Sequence, residues 1–258
     1  FNTEQLKKHG KKIINTCYIY DGQLIIGSIE RIKDINIVPS PYLTGALDQY
    51  FQLPLIPMIE TTRGCPFTCT FCADGLAIKS KINRYETQRT REELQYIAKN
   101  INKVDELIVT DLNFGMYKQD METAKEIANI QKNYNYPVSV DAPAGKNMPK
   151  RIINIASIMK GWSMGGVIQS SDPGVLKAIK RSNISIDAYQ DLIDFGNKQK
   201  ANRTYTEIIL GLPDDTKEKH FKSLRLGVEK SVNNLRMHQA MLLIGTEMAS
   251  KKDRKKYG

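Results

Sequence analysis

The residues best suited to chemistry in this sequence are Cys65, Cys69 and Cys72, within the stretch IETTRGCPFTCTFCAD that runs from Ile59 to Asp74. Their C-x3-C-x2-C spacing holds three thiolates on one loop, directly after an apolar run, Leu55 to Ile59, of buried-strand length. Thiolate sets of this kind select iron–sulfur clusters or zinc over harder cations, and three is one fewer than a structural zinc site or a closed cluster site uses. A four-iron cluster held this way keeps one iron without a protein ligand, and that iron is the place for chemistry. A zinc site completed by Cys17, His9, His220 or His238 is the competing reading, although none of these sits at the paired spacing of zinc modules. Disulfides are disfavoured, because nothing at the N-terminus reads as a secretory signal and three close cysteines leave an odd one. Cys17 stands alone in an apolar stretch and is expected to be a buried structural thiol.

The elements that must position this loop follow from periodicity. Gly64 allows a tight turn out of the preceding strand, and Pro66 fixes the backbone just after the first cysteine. From Leu55 onward, strand-like runs at Leu55 to Glu60, Glu106 to Asp111, Pro137 to Asp141, Gly165 to Ser170, Thr204 to Gly211 and Leu235 to Leu243 alternate with helical patterns. The helical patterns are Arg91 to Asn102, Asp120 to Asn133, Pro149 to Gly161, Asp172 to Lys180 joined by Ile186 to Lys198, and Lys217 to Lys230. Ser171 before Asp172-Pro173, and Thr216 before Lys217, are candidate helix starts. Such alternation argues an α/β fold, a parallel sheet with right-handed crossovers. Ligands then gather at the C-terminal edge of the strands.

The polar residues at those strand ends are the ones to read for function. They are Asp111 and Asn113 in TDLNFGMY, Asp141 in VSVDAPAGKN, Gln169, Ser170 and Arg181 in IQSSDPGVLKAIKR, and Glu207 and Gly211 in TEIILGLPDDT, with Gly245 in the last run, MHQAMLLIGTEM. For Asp111 and Asn113 a turn that caps the next helix is an equally simple reading. For Arg181 it is a surface position at a helix end, and for Glu207 a paired carboxylate inside the sheet.

The C-x3-C-x-aromatic-C loop after a strand resembles the radical S-adenosylmethionine (SAM) superfamily. That resemblance implies a partial (β/α)6 TIM-like barrel and a [4Fe-4S] cluster on Cys65, Cys69 and Cys72. Its open iron would chelate the amino and carboxylate groups of SAM, and an electron would cleave SAM to a 5'-deoxyadenosyl radical that abstracts hydrogen from the substrate. By the same resemblance Phe71 lies near the adenine, Gln169 and Ser170 face the ribose, and Arg181 faces the SAM carboxylate, for which its planar fork is suited. Asp141 would reach SAM from its strand end, Glu207 lies on a strand that packs against the adenine, and Gly211 and Gly245 would permit close approach there. Many members carry Gly-Gly-Glu where this chain has Asp111 and Asn113. The D-x-N-F-G form is instead similar to the branch that carries an N-terminal cobalamin-binding domain, in which the outcome is often methyl transfer. No Asp-x-His-x-x-Gly cobalamin signature occurs in this sequence, so cobalamin is an inference about the parent protein.

Length and composition bound the rest. The 258 residues are 41% hydrophobic and 26% charged, as in an ordinary globular protein with an ample core. The boundaries expected are a preface at 1–50 following a missing domain, a radical SAM core at 51–250 and a basic, truncated tail at 251–258, all belonging to a fragment of a longer protein. In the preface, Phe1 to Lys12 reads as a frayed helix, Ile13 to Ile37 as two or three short strands around Asp21-Gly22, and Val38 to Phe51 as an extended crossing and linker set by Pro39 and Pro41. No run approaches the ~18 apolar residues of a membrane span, which points to a cytoplasmic protein. The formal charge of +10 invites a nucleic-acid partner, but the Lys and Arg residues are dispersed and read as a solvated surface. A tRNA methylthiotransferase would carry further cysteine-rich and RNA-binding domains, and a non-enzymatic zinc or nucleic-acid-binding module would bind no SAM. The partners expected are a small-molecule, lipid or carbohydrate substrate, which the sequence leaves unnamed, and an electron donor such as flavodoxin or ferredoxin.

Overall fold

The computed structural model describes residues 3–199 and 203–257, so Phe1, Asn2, Lys200, Ala201, Asn202 and Gly258 lie outside the described residues. The chain divides into two units, residues 1–37 and 38–258. The first contains a short helix, Thr3–Lys8, and an antiparallel ribbon of Cys17–Tyr20 with Gln23–Ile26. Its turn is Asp21-Gly22, and both residues have positive φ, as the tightest hairpin turns require. Cys17 is exposed, not buried. It sits at the end of a two-stranded ribbon, which can bury little of either face.

The second unit is the partial barrel. Six parallel strands follow one another in chain order: β1 (Met58–Ile59), β2 (Glu106–Val109), β3 (Ser139–Asp141), β4 (Met164–Gly165), β5 (Thr204–Leu210) and β6 (Asn234–Gln239). β1, β2 and β3 form one hydrogen-bonded set and β4, β5 and β6 another. A parallel bridge between Val140 and Trp162 joins the two. The strands are shorter than their apolar runs. β4 stops at Gly165, and Gln169 regains contact only through a single bridge to Ile208. β6 is largely exposed, because its outer edge pairs with no other strand among the described residues.

The helices pack where their apolar stripes dictate. In α1 (Thr87–Asn100) the buried residues Thr90, Leu94, Ile97 and Ala98 recur at helical spacing, and in α2 (Asp120–Tyr134) Thr123, Ala124, Ile127 and Ile130 do the same. α3 (Pro149–Ile158) opens on a proline and buries Ile152, Ile155 and Ala156. α4 (Pro173–Ala178) is capped by the Asp172 carboxylate, one residue later than Ser171, through the Gly174 and Val175 N–H groups. Ser185 caps α5 (Ile186–Lys198), and Thr216 caps α6 (Lys217–Glu229). α1 begins four residues before the stretch its apolar pattern marks. No helix among the described residues is long and apolar enough to cross a membrane.

The core fills the space between the β1–β3 strands and their helices. Trp162 is its largest fully buried side chain, set edge-on to Phe114 at 5.4 Å between ring centroids, with its indole N–H donating to the Ala142 carbonyl at 2.9 Å. Residues 38–51, expected as linker, pack into this unit. Tyr42 and Phe51 are buried in the core, and the Tyr42 hydroxyl accepts from the N–H of Met58 and donates to its carbonyl, fastening the first strand. At the other end, Lys251–Tyr257 is a short basic helix.

Candidate active site

The ends of β1 and β2 set the entry to the cysteine loop. Past β1 the chain turns through Thr61 and Thr62, whose N–H groups donate to Asp111 Oδ1 at 2.7 and 3.1 Å, while the Thr61 hydroxyl donates to Asp111 Oδ2. Asp111 follows β2 and is buried. Burial raises its pKa, against the lowering effect of those hydrogen bonds. Gly64 then has φ +110, and a Cβ there would stand 2.3 Å from the Lys81 carbonyl oxygen, so only glycine lets the returning strand Asn83–Arg84 lie against Thr62–Arg63. Cys65 N–H donates to Lys79 O, Thr70 N–H to Ile179 O and Cys72 N–H to Cys69 O, which ties the loop at both ends and across its middle.

All three cysteines face one cavity of about 460 Å³ at the C-terminal ends of the strands, within the range of small-molecule sites. The sulfurs receive donors from the surrounding loops: Asn113 Nδ2 on Cys65 Sγ at 3.4 Å, Lys146 Nζ on Cys69 Sγ at 3.1 Å, with the Arg181 guanidinium also beside Cys69, and the Asp74 N–H on Cys72 Sγ at 3.4 Å. Neither His220 nor His238 lines this cavity. His220 instead pairs with Asp215 at 3.7 Å. Among the described residues, no group of three His, Cys, Asp or Glu side chains is arranged to hold one metal ion. What the cysteines share is a cavity wall, and a polynuclear centre that takes one thiolate per iron suits that arrangement.

The cavity brings together Phe71, Asn113, Asp141, Gln169, Arg181 and Glu207 from the sequence-predicted residues. Gln169 is the most informative. It is buried, has a left-handed backbone at φ +61, and its side-chain oxygen Oε1 has no hydrogen-bond partner in the protein. The backbone is held in that conformation by exchange with β5, Gln169 N–H to Glu207 O at 2.8 Å and Ile209 N–H to Gln169 O at 3.0 Å. A buried carbonyl oxygen without a partner is costly, and in a cavity wall it marks a place for a ligand donor. Arg181 is buried beside Cys69. Its guanidinium donates to Asn183 Oδ1 at 3.0 Å and to the Val167 carbonyl, and burial lowers its pKa against the pull of Cys69 and Glu207.

Asp111, Ser170, Gly211 and Gly245 do not line the cavity. Asp111 is turned toward Thr61 and Thr62. Ser170 points to the helix layer, where its hydroxyl accepts from the Asp172 N–H and lies 3.5 Å from Ser223 Oγ of α6. Gly211 borders a separate hollow with Asp214 and Asp215, and open space surrounds Gly245.

Lys146, Tyr205 and Arg236 line the site without having been marked as site residues. Arg236 lies in register with Glu207, pairs with its carboxylate at 3.6 Å and stacks on the Tyr205 ring at 3.9 Å. Burial pushes the Tyr205 phenol up to about 12. Tyr205 is two residues from Glu207 and therefore on the same strand face, a signal the sequence carries. The partnership with Arg236 needs the strand register.

Residues 59–226 match the family described as the Radical SAM superfamily. The cobalamin-dependent radical SAM methyltransferase TokK of Streptomyces tokunonensis is 33% identical over 199 residues, covering 72% of this chain and 28% of that protein. The 2-(S-pantetheinyl)-carbapenam-3-carboxylate methyltransferase of Streptantibioticus cattleyicolor is 34% identical over 196 residues, covering 71% of this chain and 28% of that protein. The chain thus spans 28% of the length of either curated relative. The fold is also similar to that of TsrM from Kitasatospora setae, a radical S-adenosylmethionine methyltransferase solved with cobalamin and a [4Fe-4S] cluster bound. The TM-score is 0.62 at 14% identity, over 78% of this chain and 37% of that one, a likeness of fold alone.

Proposed function

The chain belongs to the radical SAM superfamily, and from that premise we propose that it is the core of a radical SAM enzyme, in which Cys65, Cys69 and Cys72 hold a [4Fe-4S] cluster beside a SAM site. The observation that carries this reading is the convergence of three cysteines on one cavity whose lining also includes Gln169, with its buried and unpartnered side-chain oxygen. When bound, the cluster supplies the electron that cleaves SAM to a 5'-deoxyadenosyl radical.

The chain's own residues bind, orient and exclude water. The cysteine thiols give up their protons to become ligands. Gln169 Oε1 accepts a hydrogen bond from a ribose hydroxyl, because such a donor resolves its buried, unsatisfied state. Phe71, packed against the Val175, Ile179 and Leu212 cluster, offers the adenine an apolar wall. Arg181, already tied to Asn183 and Val167, lends positive charge to the SAM carboxylate rather than a free bidentate fork. Asp141 is a carboxylate acceptor for the SAM amino group. Asp111 acts at one remove, as the residue that positions the entry to the cysteine loop, and Ser170, Gly211 and Gly245 lie outside the cavity lining. The cavity's apolar lining, Ile108, Val109 and Val167 among it, limits water that would quench a radical.

The overall reaction is methyl transfer assisted by cobalamin, a reading supported by the similarity to TokK, whose name states both. An electron donor of the flavodoxin or ferredoxin kind would serve the cluster. The test is anaerobic reconstitution followed by metal analysis and incubation with SAM and dithionite. A four-iron complement and release of 5'-deoxyadenosine are expected, both lost when Cys65, Cys69 and Cys72 are replaced by alanine. Stoichiometric zinc, or iron without SAM cleavage, would contradict the reading.

A further inference from the structure

Two strand-end loops converge on the cysteines, and they differ in charge. The loop after β2 puts the Asn113 amide on Cys65, and the loop after β3 puts the Lys146 ammonium on Cys69. The loops are stitched together by Phe114 N–H to Pro143 O and by Gly145 N–H to Phe114 O, at 2.9 and 2.8 Å. Gly145 makes this approach feasible, since a Cβ there would stand 2.7 Å from Met116 Cβ. The next residue, Lys146, is half-buried, with its Nζ 4.3 Å from the centre of the Phe67 ring. Among the described residues it makes no ion pair, so no carboxylate cancels its charge within contact distance.

On the reading that these cysteines hold a cluster, we infer that Lys146 sets its reduction potential: the ammonium on the Cys69 sulfur stabilises the reduced state. Adding one electron to the centre makes it more negative by one charge, and a cation at a ligand sulfur favours that state. Cluster potentials follow net charge, hydrogen bonds to sulfur and solvent exposure, and Lys146 supplies the first two together. The Asn113 amide and the Asp74 N–H donate to sulfur with only partial charge, and the buried Arg181 guanidinium beside Cys69 is a second positive charge that substitutions at Lys146 leave in place. Cavity carboxylates Asp74, Asp141 and Glu207 act in the opposite sense, the first tied to Lys79 and the last to Arg236.

The experiment is an anaerobic dithionite titration of the reconstituted 258-residue chain, without SAM, followed by electron paramagnetic resonance. Lys146→Gln should take up the cluster and show a midpoint shifted to more negative potential, while Lys146→Arg should stay near the wild-type value. Should the Gln variant fold poorly by circular dichroism, Lys146→Met, equally long and uncharged, carries the same comparison. An unmoved midpoint in the uncharged variant overturns the inference, as does a shift in the Arg variant equal to that of Gln. A wild-type chain that assembles no four-iron cluster overturns the functional reading beneath it as well. A wild-type cluster with an unmoved variant midpoint defeats the Lys146 role alone.

Discussion

Asp111 accepts three hydrogen bonds from the two threonines that lead into the cysteine loop, two through Oδ1 from backbone N–H groups and one through Oδ2 from the Thr61 hydroxyl. Replacing it by alanine strands those donors in a buried setting, where each unmet group costs about 1–3 kcal/mol. Asp111→Ala should therefore lower stability by about 3 kcal/mol or more and impair cluster loading. Asp111→Asn should be milder, because an amide oxygen still accepts from both N–H groups. Urea unfolding and iron content check this, and equal loss in the two variants would contradict it.

Gln169 predicts an unusual trade. Gln169→Met removes the unpartnered oxygen while keeping the shape, so the ligand-free chain should gain about 1 kcal/mol. SAM affinity should fall roughly 3- to 30-fold, the equivalent of about 0.7–2 kcal/mol. Thermal unfolding and calorimetry measure the two halves separately.

Asp120 opens α2 and accepts from the N–H groups of Gly115 and Tyr117 through one oxygen, at 2.8 and 2.9 Å. Burial pushes its pKa up to about 6 from an ordinary 3.8, with the Asp111 charge adding to the rise. A carboxyl with a raised folded-state pKa is more favourable protonated, so its contribution is fully present below about pH 4 and lost as pH rises through about 6. Asp120→Asn should flatten that part of the stability profile, an effect of at most about 3 kcal/mol between the two ends. Melting temperatures of both proteins across pH 4 to 7 show whether the difference closes as expected.

Trp162 anchors the junction of the two strand sets. Trp162→Ala should cost about 3–5 kcal/mol through the cavity it leaves, and Trp162→Phe less, with the Ala142 carbonyl losing its donor. Chemical denaturation is the direct measure. A loss under 1 kcal/mol for the alanine variant would contradict the packing role.

The cysteine loop is legible in the sequence because its chemistry is local. Three ligands within eight residues need no tertiary information, and the strand–helix alternation around them follows from period alone. Side-chain direction is less accessible. Gln169 lines the cavity and its neighbour Ser170 reaches α6 because the backbone turns through a left-handed conformation at Gln169, which no local sequence pattern announces. Asp111 is a strand-end carboxylate like Asp141, but the turn at Thr61 and Thr62 captures it. Arg236 emerges only from the β5–β6 register that sets it opposite Glu207, and Lys146 on Cys69 only from the close approach at Gly145.

The most direct measurement of the central claim is electron paramagnetic resonance of the anaerobically reconstituted, dithionite-reduced chain, with and without SAM. A four-iron signal that shifts when SAM is added is the predicted result, because SAM then occupies the iron that Cys65, Cys69 and Cys72 leave open. A signal indifferent to SAM, or a protein loaded with zinc and without a signal, would contradict it.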